Sequence, residues 1–218
     1  MSIVWQKSYW NKLAKLGKLR SVIDPNDLEG IKNYQLNSIH QKNLLHFFQK
    51  NKFNQFNSIL DFGCGVGRNY KFLQSISKSY FGIDISDEML KKHEGKVVLY
   101  DGKDLPFPEN HFDLIFCFWV LQHIIDDKDL IKTISEFYRC LANDGIVIIC
   151  ERSSKTKAEK NKSSQYINRR PPKQYIKLFS DASFHLKSIQ RLSYHTIFFD
   201  IFRRYSVEGE NIYVFKKK

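Results

Sequence analysis

No apolar run in this chain reaches the ~18–20 residues that a membrane-spanning helix needs. The N-terminal stretch "MSIVWQKSYWNKLAKLGK" lacks a long uncharged core and a small-residue cleavage site, so it does not read as a signal peptide. No CxxC pair occurs among Cys64, Cys117, Cys140 and Cys150. Zinc ligation is therefore not expected, and no metal site is assigned. Three of the four lie in or beside apolar runs, as reduced, buried thiols do. No internal repeat is visible. Acidic side chains are scarce, 23 against 35 basic, for a formal charge of +12. Together these absences describe a soluble protein, expected in the cytoplasm. The positive excess suits a nucleic acid, an anionic membrane surface or a phosphorylated acceptor. It suits a plain lysine-rich surface equally well.

What the chain does have is material for a core. Hydrophobic residues make up 42% of its 218 positions, with 18 Phe and 11 Tyr. That fits one domain of ordinary size. Residues 3–20 space Trp5, Tyr9, Trp10, Leu13, Leu16 and Leu19 as a helix would. "DPNDLEG" at 24–30 holds turn chemistry, with Asp27 as a helix cap, and a second helix is expected over 28–50. Short apolar runs then alternate with helical stretches. The runs are 59–62, 79–83, 97–100, 112–118 and 145–150, and the helices between them are expected at 67–77, 86–94 and 126–142. "ANDG" at 142–145 reads as a helix stop and tight turn. Such alternation marks a parallel sheet with helices on both faces, whose doubly buried strands appear as unbroken apolar runs. The stretch 151–173 carries eight basic residues and two acidic ones, and reads as a solvated loop. A helix over 172–182 and two strands, 184–194 and 210–216, complete the chain, with "HTIFFDIFRRYSVEG" between them.

The stretch "ILDFGCGVGRNY", 59–70, holds the most chemistry. Three glycines follow a strand end, where a parallel sheet binds ligands. They let backbone approach a ligand and take positive φ. No Lys-Ser or Lys-Thr follows, so this is not a P-loop. The third glycine falls one residue early for a dinucleotide fingerprint, and Arg68 takes the place of its last glycine. Asp61, just ahead of the loop, would repel a pyrophosphate and suits a ligand bearing a cationic amine.

"ILDFGCGVGRN" resembles the first motif of class I S-adenosylmethionine-dependent methyltransferases. "FGIDIS", "LYDGKDLPFPENHFDLIFCFWVLQHI" and "ISEFYRCLANDGIVII" continue the resemblance in order over about 57–151, in the small-molecule, methyltransferase-11-like branch. It implies a Rossmann-like α/β three-layer sandwich, with a mostly parallel seven-stranded sheet and an antiparallel last strand. The expected organisation is a helical cap over 1–56 and a methyltransferase domain over 57–218. That domain would divide into a cofactor core 57–151, a basic loop 152–173 and substrate-side elements 174–218. The implied cofactor is S-adenosylmethionine, leaving as S-adenosylhomocysteine. Gly63, Cys64, Gly65 and Gly67 would pass beneath its methionine part, with Asp61 near the amine. Asp84 would accept the ribose hydroxyls and Ile85 would pack on adenine. Asp101, closing the third strand, would accept from the adenine amino group, with the Gly102 N–H facing the ring. Phe118 would offer its carbonyl. The plainer reading makes Asp84 and Asp101 strand-end turn residues, Arg68 a solvent-facing side chain and Asp104 loop surface.

Methyl transfer from a sulfonium is an in-line displacement, so alignment is the protein's main task. A hydroxyl or amine acceptor also needs a base, and His123, just past the fourth strand, is the candidate. Its plainer reading is a structural histidine. Gln122 stands where relatives often carry a histidine, and Trp119 would wall the pocket. No [DNS]PP[YFW] motif and no Pro-Cys follow the fourth strand, so chemistry on base amines or cytosine C5 is disfavoured. Asp126, Asp127 and Asp129 read as a helix start rather than a metal site. Trp5, Tyr9, Trp10, Arg20 and Tyr34 are candidate lid or pocket residues. Arg20 and Tyr34 are also candidates to reach the cofactor carboxylate. The expected activity is methylation, at oxygen, of a small molecule or an anionic sugar or glycan precursor. An RNA methyltransferase and a non-catalytic cofactor-binding partner are the alternatives.

Overall fold

The strands stand where the apolar runs put them. In the computed structural model, which describes residues 3–154, 159–160, 167–192 and 209–218, the chain begins with α1 (Ile3–Ala14), α2 (Lys18–Val22) and α3 (Ile31–Lys50). It continues through β1 (Phe56–Phe62), α4 (Tyr70–Ser75), β2 (Ser77–Asp84), α5 (Asp87–Leu90) and β3 (Val97–Leu99). Next come β4 (Phe112–Phe118), a 3-10 turn (Leu121–His123), α6 (Asp127–Cys140) and β5 (Leu141–Ser153). The described remainder is β6 (Glu159–Lys160), β7 (Asn168–Arg169), α7 (Pro172–Asp181), β8 (Phe184–Leu192) and β9 (Gly209–Lys217). Seven strands form one sheet in the order β3-β2-β1-β4-β5-β9-β8, and β6 pairs with β7 apart from it. β1 with β2, β2 with β3 and β4 with β5 pair in parallel, while β9 runs antiparallel to both β5 and β8. That is the mostly parallel sheet with an antiparallel last strand.

The chain divides into two compact units, residues 1–102 and 103–218. In the first, β1 pairs in parallel with β2, setting Leu60 opposite Phe81 and Asp61 opposite Gly82. The 3–20 pattern breaks at Gly17, whose φ of +96° ends α1 and lets α2 start in a new direction. Asp27 caps α3 from three residues before Gly30, accepting the Asn33 N–H at 2.7 Å. Two expected helices shrink. Glycine-loop turns, Gly67 N–H to Cys64 O and Tyr70 N–H to Gly67 O, occupy the start of the first. The second is stopped by turn bonds that run on from Leu90 toward Gly95.

In the second unit, β4 is buried along nearly its whole length, and its register with β5 is parallel. α6 starts at Asp126, whose side chain accepts the Lys128 N–H at 2.8 Å, with Asp127 and Asp129 in the first turn. It buries Leu130, Thr133, Ile134, Phe137 and Cys140 on one face. The "ANDG" turn is a correction: it lies inside β5, not before it. Phe112 pairs with Leu141 and Leu114 with Ile146, so Asp113 alone faces four residues, 142–145. A Cβ on Gly145 would come within 2.8 Å of the Leu141 side chain, so this bulge needs glycine. The stretch 151–173 is not uniformly solvated. Arg152 and Ser153 extend β5, and Arg170 is fully buried. Residues 155–158 and 161–166, and 193–208 with most of "HTIFFDIFRRYSVEG", lie outside the described residues.

Candidate functional site

In the first unit β1 delivers Asp61 and Phe62 to a loop whose glycines have φ of +72° (Gly63), +53° (Gly65) and +81° (Gly67). Side-chain-bearing residues rarely adopt these values. The Gly63 and Cys64 N–H groups both donate to Ile83 O, at 2.8 and 3.0 Å, pinning the loop to the end of β2. Asp84 holds it further on: Oδ2 accepts the Gly65 N–H at 2.9 Å and Oδ1 accepts the Ser86 N–H at 2.8 Å. The Ile85 N–H also bonds this carboxylate, which has about four lone-pair positions in all. Burial pushes the Asp84 carboxyl up to about 6, against the pull of those N–H groups. Asp61 is 2% exposed. Burial pushes it up to about 7, the Tyr80 hydroxyl bond lowers it, and nearby Asp84 raises it. Burial also pushes the Cys64 thiol up, which makes it an inert space-filler rather than a nucleophile.

The N-terminal helices reach this loop. Trp10, Leu13 and Val22 pack on Ala14, Val66 and Met89. Asn11 bridges to α5, donating to Asp87 and accepting from Ser86 Oγ. Trp10 is thus held in an apolar cluster with the loop. The Arg20 guanidinium donates to Pro25 O at 2.9 Å. Tyr34 is 72% exposed rather than walled in. The Trp5 side chain lies outside the described residues. Arg68 is no solvent-facing side chain either: Nε donates to Asn37 Oδ1 at 3.0 Å and Nη2 bonds Nδ1 of buried His40. Gln41 then takes Arg68 O and Asn69 Oδ1, so α3 is stitched to the loop's exit. Ile85 is half-buried beside Asp84. Asp101 does not close β3, which stops at Leu99. It stands exposed two residues beyond, next to Gly102 with φ +82°.

In the second unit Phe118 ends β4, and Trp119 follows at φ +59°, an unusual value for a bulky residue and a mark of functional turns. The Trp119 N–H donates to Cys150 O at 2.8 Å, and the Arg152 guanidinium lies 4.2 Å over its ring. Two residues absent from the sequence-based expectations hold what comes next. Glu151, fully buried, accepts Val120 N–H (2.9 Å) and Leu121 N–H (2.7 Å) on Oε1, and Gln122 N–H (3.2 Å) on Oε2. Burial pushes its carboxyl up to about 8 against the pull of those N–H groups and of Arg170. Arg170 takes the carbonyls: Nη1 donates to Leu121 O, Nη2 to Ile124 O and Ile125 O, and Nε to Asp127 Oδ1. Amides held from one side and carbonyls from the other fix the turn carrying Gln122 and His123. Gln122 is buried, and its Oε1 has no hydrogen-bond partner among the described residues. His123 is half-buried at the end of the turn. Glu151 gave the same signal as Asp84, an acid closing an apolar strand. Arg170 had none, being one more cation in a basic run.

Residues 60–149 match a family model described as a methyltransferase domain. An uncharacterised protein of Methanocaldococcus jannaschii is 31% identical over 145 residues, covering 61% of this chain and 67% of its own length. A demethylmenaquinone methyltransferase of Symbiobacterium thermophilum is 30% identical over 122 residues, 49% of this chain and 47% of its own. The chain thus spans less than half the length of that enzyme. Among solved structures, a SAM-dependent methyltransferase of Leishmania major superposes with a TM-score of 0.76 at 18% identity, over 98% of this chain and 82% of that one. At that identity the likeness is one of fold.

Proposed function

This chain belongs to the class I S-adenosylmethionine-dependent methyltransferases, and we propose that it transfers the methyl group of that cofactor to oxygen on a small molecule. The observation that supports the methyl donor in this reading is the loop clamp: a positive-φ glycine loop tied through the Gly65 N–H to a strand-end carboxylate, with a second carboxylate buried at its base. These residues fit the cofactor. The remaining lone pairs of Asp84 suit a ribose diol, and buried Asp61 suits an ammonium. Gly63, Cys64, Gly65 and Gly67 present backbone to the methionine part. Ile85 and Gly102 would flank adenine, with Asp101 accepting from its amino group, and Phe118 would contribute its carbonyl.

The bound cofactor supplies an activated methyl group on a sulfonium. The chain's own residues bind, orient and exclude water. His123, on the turn fixed by Glu151 and Arg170, takes the acceptor's proton on a ring nitrogen. Trp119 and Gln122 would wall the acceptor, and the buried Gln122 Oε1, without a hydrogen-bond partner among the described residues, would accept from it. The positive excess favours an anionic acceptor of the sugar or glycan-precursor kind, met in the cytoplasm. One relative is named for demethylmenaquinone, which supports a non-polymeric acceptor. The +12 charge also favours a second reading, RNA as acceptor.

The test is transfer of a radiolabelled methyl group from S-adenosylmethionine to a panel of hydroxylated small molecules, sugar phosphates and RNA. Label in a hydroxylated small molecule supports the proposal, and label in RNA alone overturns it. Binding of the cofactor with no labelled product on any acceptor would favour a non-catalytic partner. His123→Ala is expected to lower kcat about 100-fold, within the usual range for a general base, with cofactor affinity unchanged. An unchanged kcat would retire His123 as the base.

A further inference from the structure

Beneath the glycine loop runs a hydrogen-bond chain that none of these roles uses. The Gly95 N–H donates to His93 Nδ1 at 2.8 Å. A neutral imidazole that accepts on Nδ1 carries its hydrogen on Nε2, and that nitrogen lies 3.1 Å from Tyr80 Oη. Tyr80 therefore receives from His93 and donates to Asp61 Oδ2, 2.9 Å away. Every donor in the chain points the same way, toward the carboxylate. Bonds so aligned polarise and strengthen one another.

The packing is built around this line. Tyr80 stacks on His93 at 5.8 Å and 24°, and Tyr70 meets both rings, at 4.9 and 5.1 Å. Missing side chains make the room. A Cβ on Gly82 would come within 3.0 Å of Tyr80 Oη and 2.8 Å of Cys64 Sγ. On Gly67 it would meet the His93 ring at 3.0 Å. The last glycine of the motif thus makes space for the histidine below as well as for a ligand above.

We propose that Tyr80 and His93 are positioning residues for the methyl donor: their hydrogen-bond chain aims Asp61 at the cofactor's amine and holds it as the carboxylate that receives an ammonium. This rests on the cofactor reading above. The titratable groups facing Asp61 are Tyr80 and Asp84 from β2 and Cys64 from the loop. Tyr70 faces Tyr80, and the exposed Lys18–Glu94 pair faces His93. Burial pushes His93 down to about 4, so it is neutral at pH 7. Tyr70, Tyr80 and Cys64 carry no positive charge either, which leaves the ligand's ammonium as the natural counter-ion of Asp61.

Asp61 at about 7 must lose a proton to pair with that ammonium, so binding strengthens as pH rises through 7. Without the Tyr80 hydroxyl the midpoint moves up, since a hydrogen bond to a charged group stabilises the ionised form by about 1.5–3 kcal/mol, roughly one to two pH units.

The experiment is calorimetric titration of S-adenosylhomocysteine into wild type, Tyr80→Phe, His93→Phe, His93→Gln and Asp61→Asn between pH 6 and 9. Wild-type affinity is expected to be about tenfold weaker at pH 6 than at pH 8. Tyr80→Phe should bind about tenfold more weakly than wild type at pH 6, with the gap closing toward pH 9. His93→Phe should shift the midpoint the same way by less, and His93→Gln, which keeps a donor near Nε2, should restore part of it. Asp61→Asn should bind weakly with a flatter profile. A pH-independent loss in Tyr80→Phe, or an unshifted midpoint, overturns the positioning role while leaving the cofactor reading intact. Should Tyr80→Phe not fold, the His93 pair carries the same comparison. No binding by wild type at any pH overturns both.

Discussion

Asp84 does two jobs with one carboxylate. It closes β2 as a strand-end acid, and it fastens the glycine loop through the Gly65 N–H. The first job was legible in "FGIDIS", because an acid at the end of an apolar run stands out. The second was not, because it depends on a contact between residues 19 positions apart. The same limit explains Arg68. Its residue type suggested solvent, yet two hydrogen bonds to α3 hold its guanidinium. Arg68→Ala should therefore cost roughly 1–3 kcal/mol of stability, by leaving buried His40 without that bond. Chemical denaturation measures it, and a change below about 0.5 kcal/mol would mean the pair contributes nothing.

Among the elements, strands were the easiest to read and short helices the hardest. A doubly buried strand writes itself as an unbroken apolar run, as in "FDLIFCF". α4 and α5 have six and four residues, too few to show a helical period once turns take their ends. The 3-10 turn after β4 hangs on Glu151 and Arg170, and a carboxyl buried this deep has a pH signature. The Glu151 carboxyl sits at about 8 in the fold against 4.5 ordinarily. A raised carboxyl contributes stability in full below its unfolded value and loses it as pH climbs through its folded value. Wild-type Tm should thus fall between pH 5 and pH 8.5 by more than that of Glu151→Gln, which cannot ionise. Parallel Tm profiles would contradict a buried, titrating Glu151.

Over the whole chain, the glycine loop from Asp61 to Gly67 was legible because it stands in one contiguous stretch at a strand end. The contacts of Glu151 and Arg170 with the turn after β4 were not, because they join residues distant in sequence. The expected division at residue 56 is a functional proposal, while the structure divides at 102. Among the described residues no helix is long and apolar enough to cross a membrane. The +12 charge bears on the RNA reading through salt. If lysines merely coat the surface, RNA binding at 200 mM salt should be negligible, and a retained sub-micromolar Kd there would favour RNA as acceptor.

The central claim is that the Asp84-clamped glycine loop binds the methyl donor. Calorimetry with S-adenosylhomocysteine at pH 8 tests it most directly, on wild type and Asp84→Ala, with circular dichroism confirming that both are folded. Wild type should bind one equivalent. Asp84→Ala should lose about 100-fold or more in affinity, the equivalent of about 3 kcal/mol of hydrogen bonds to a charged group. Equal affinity in the two folded proteins would contradict the account.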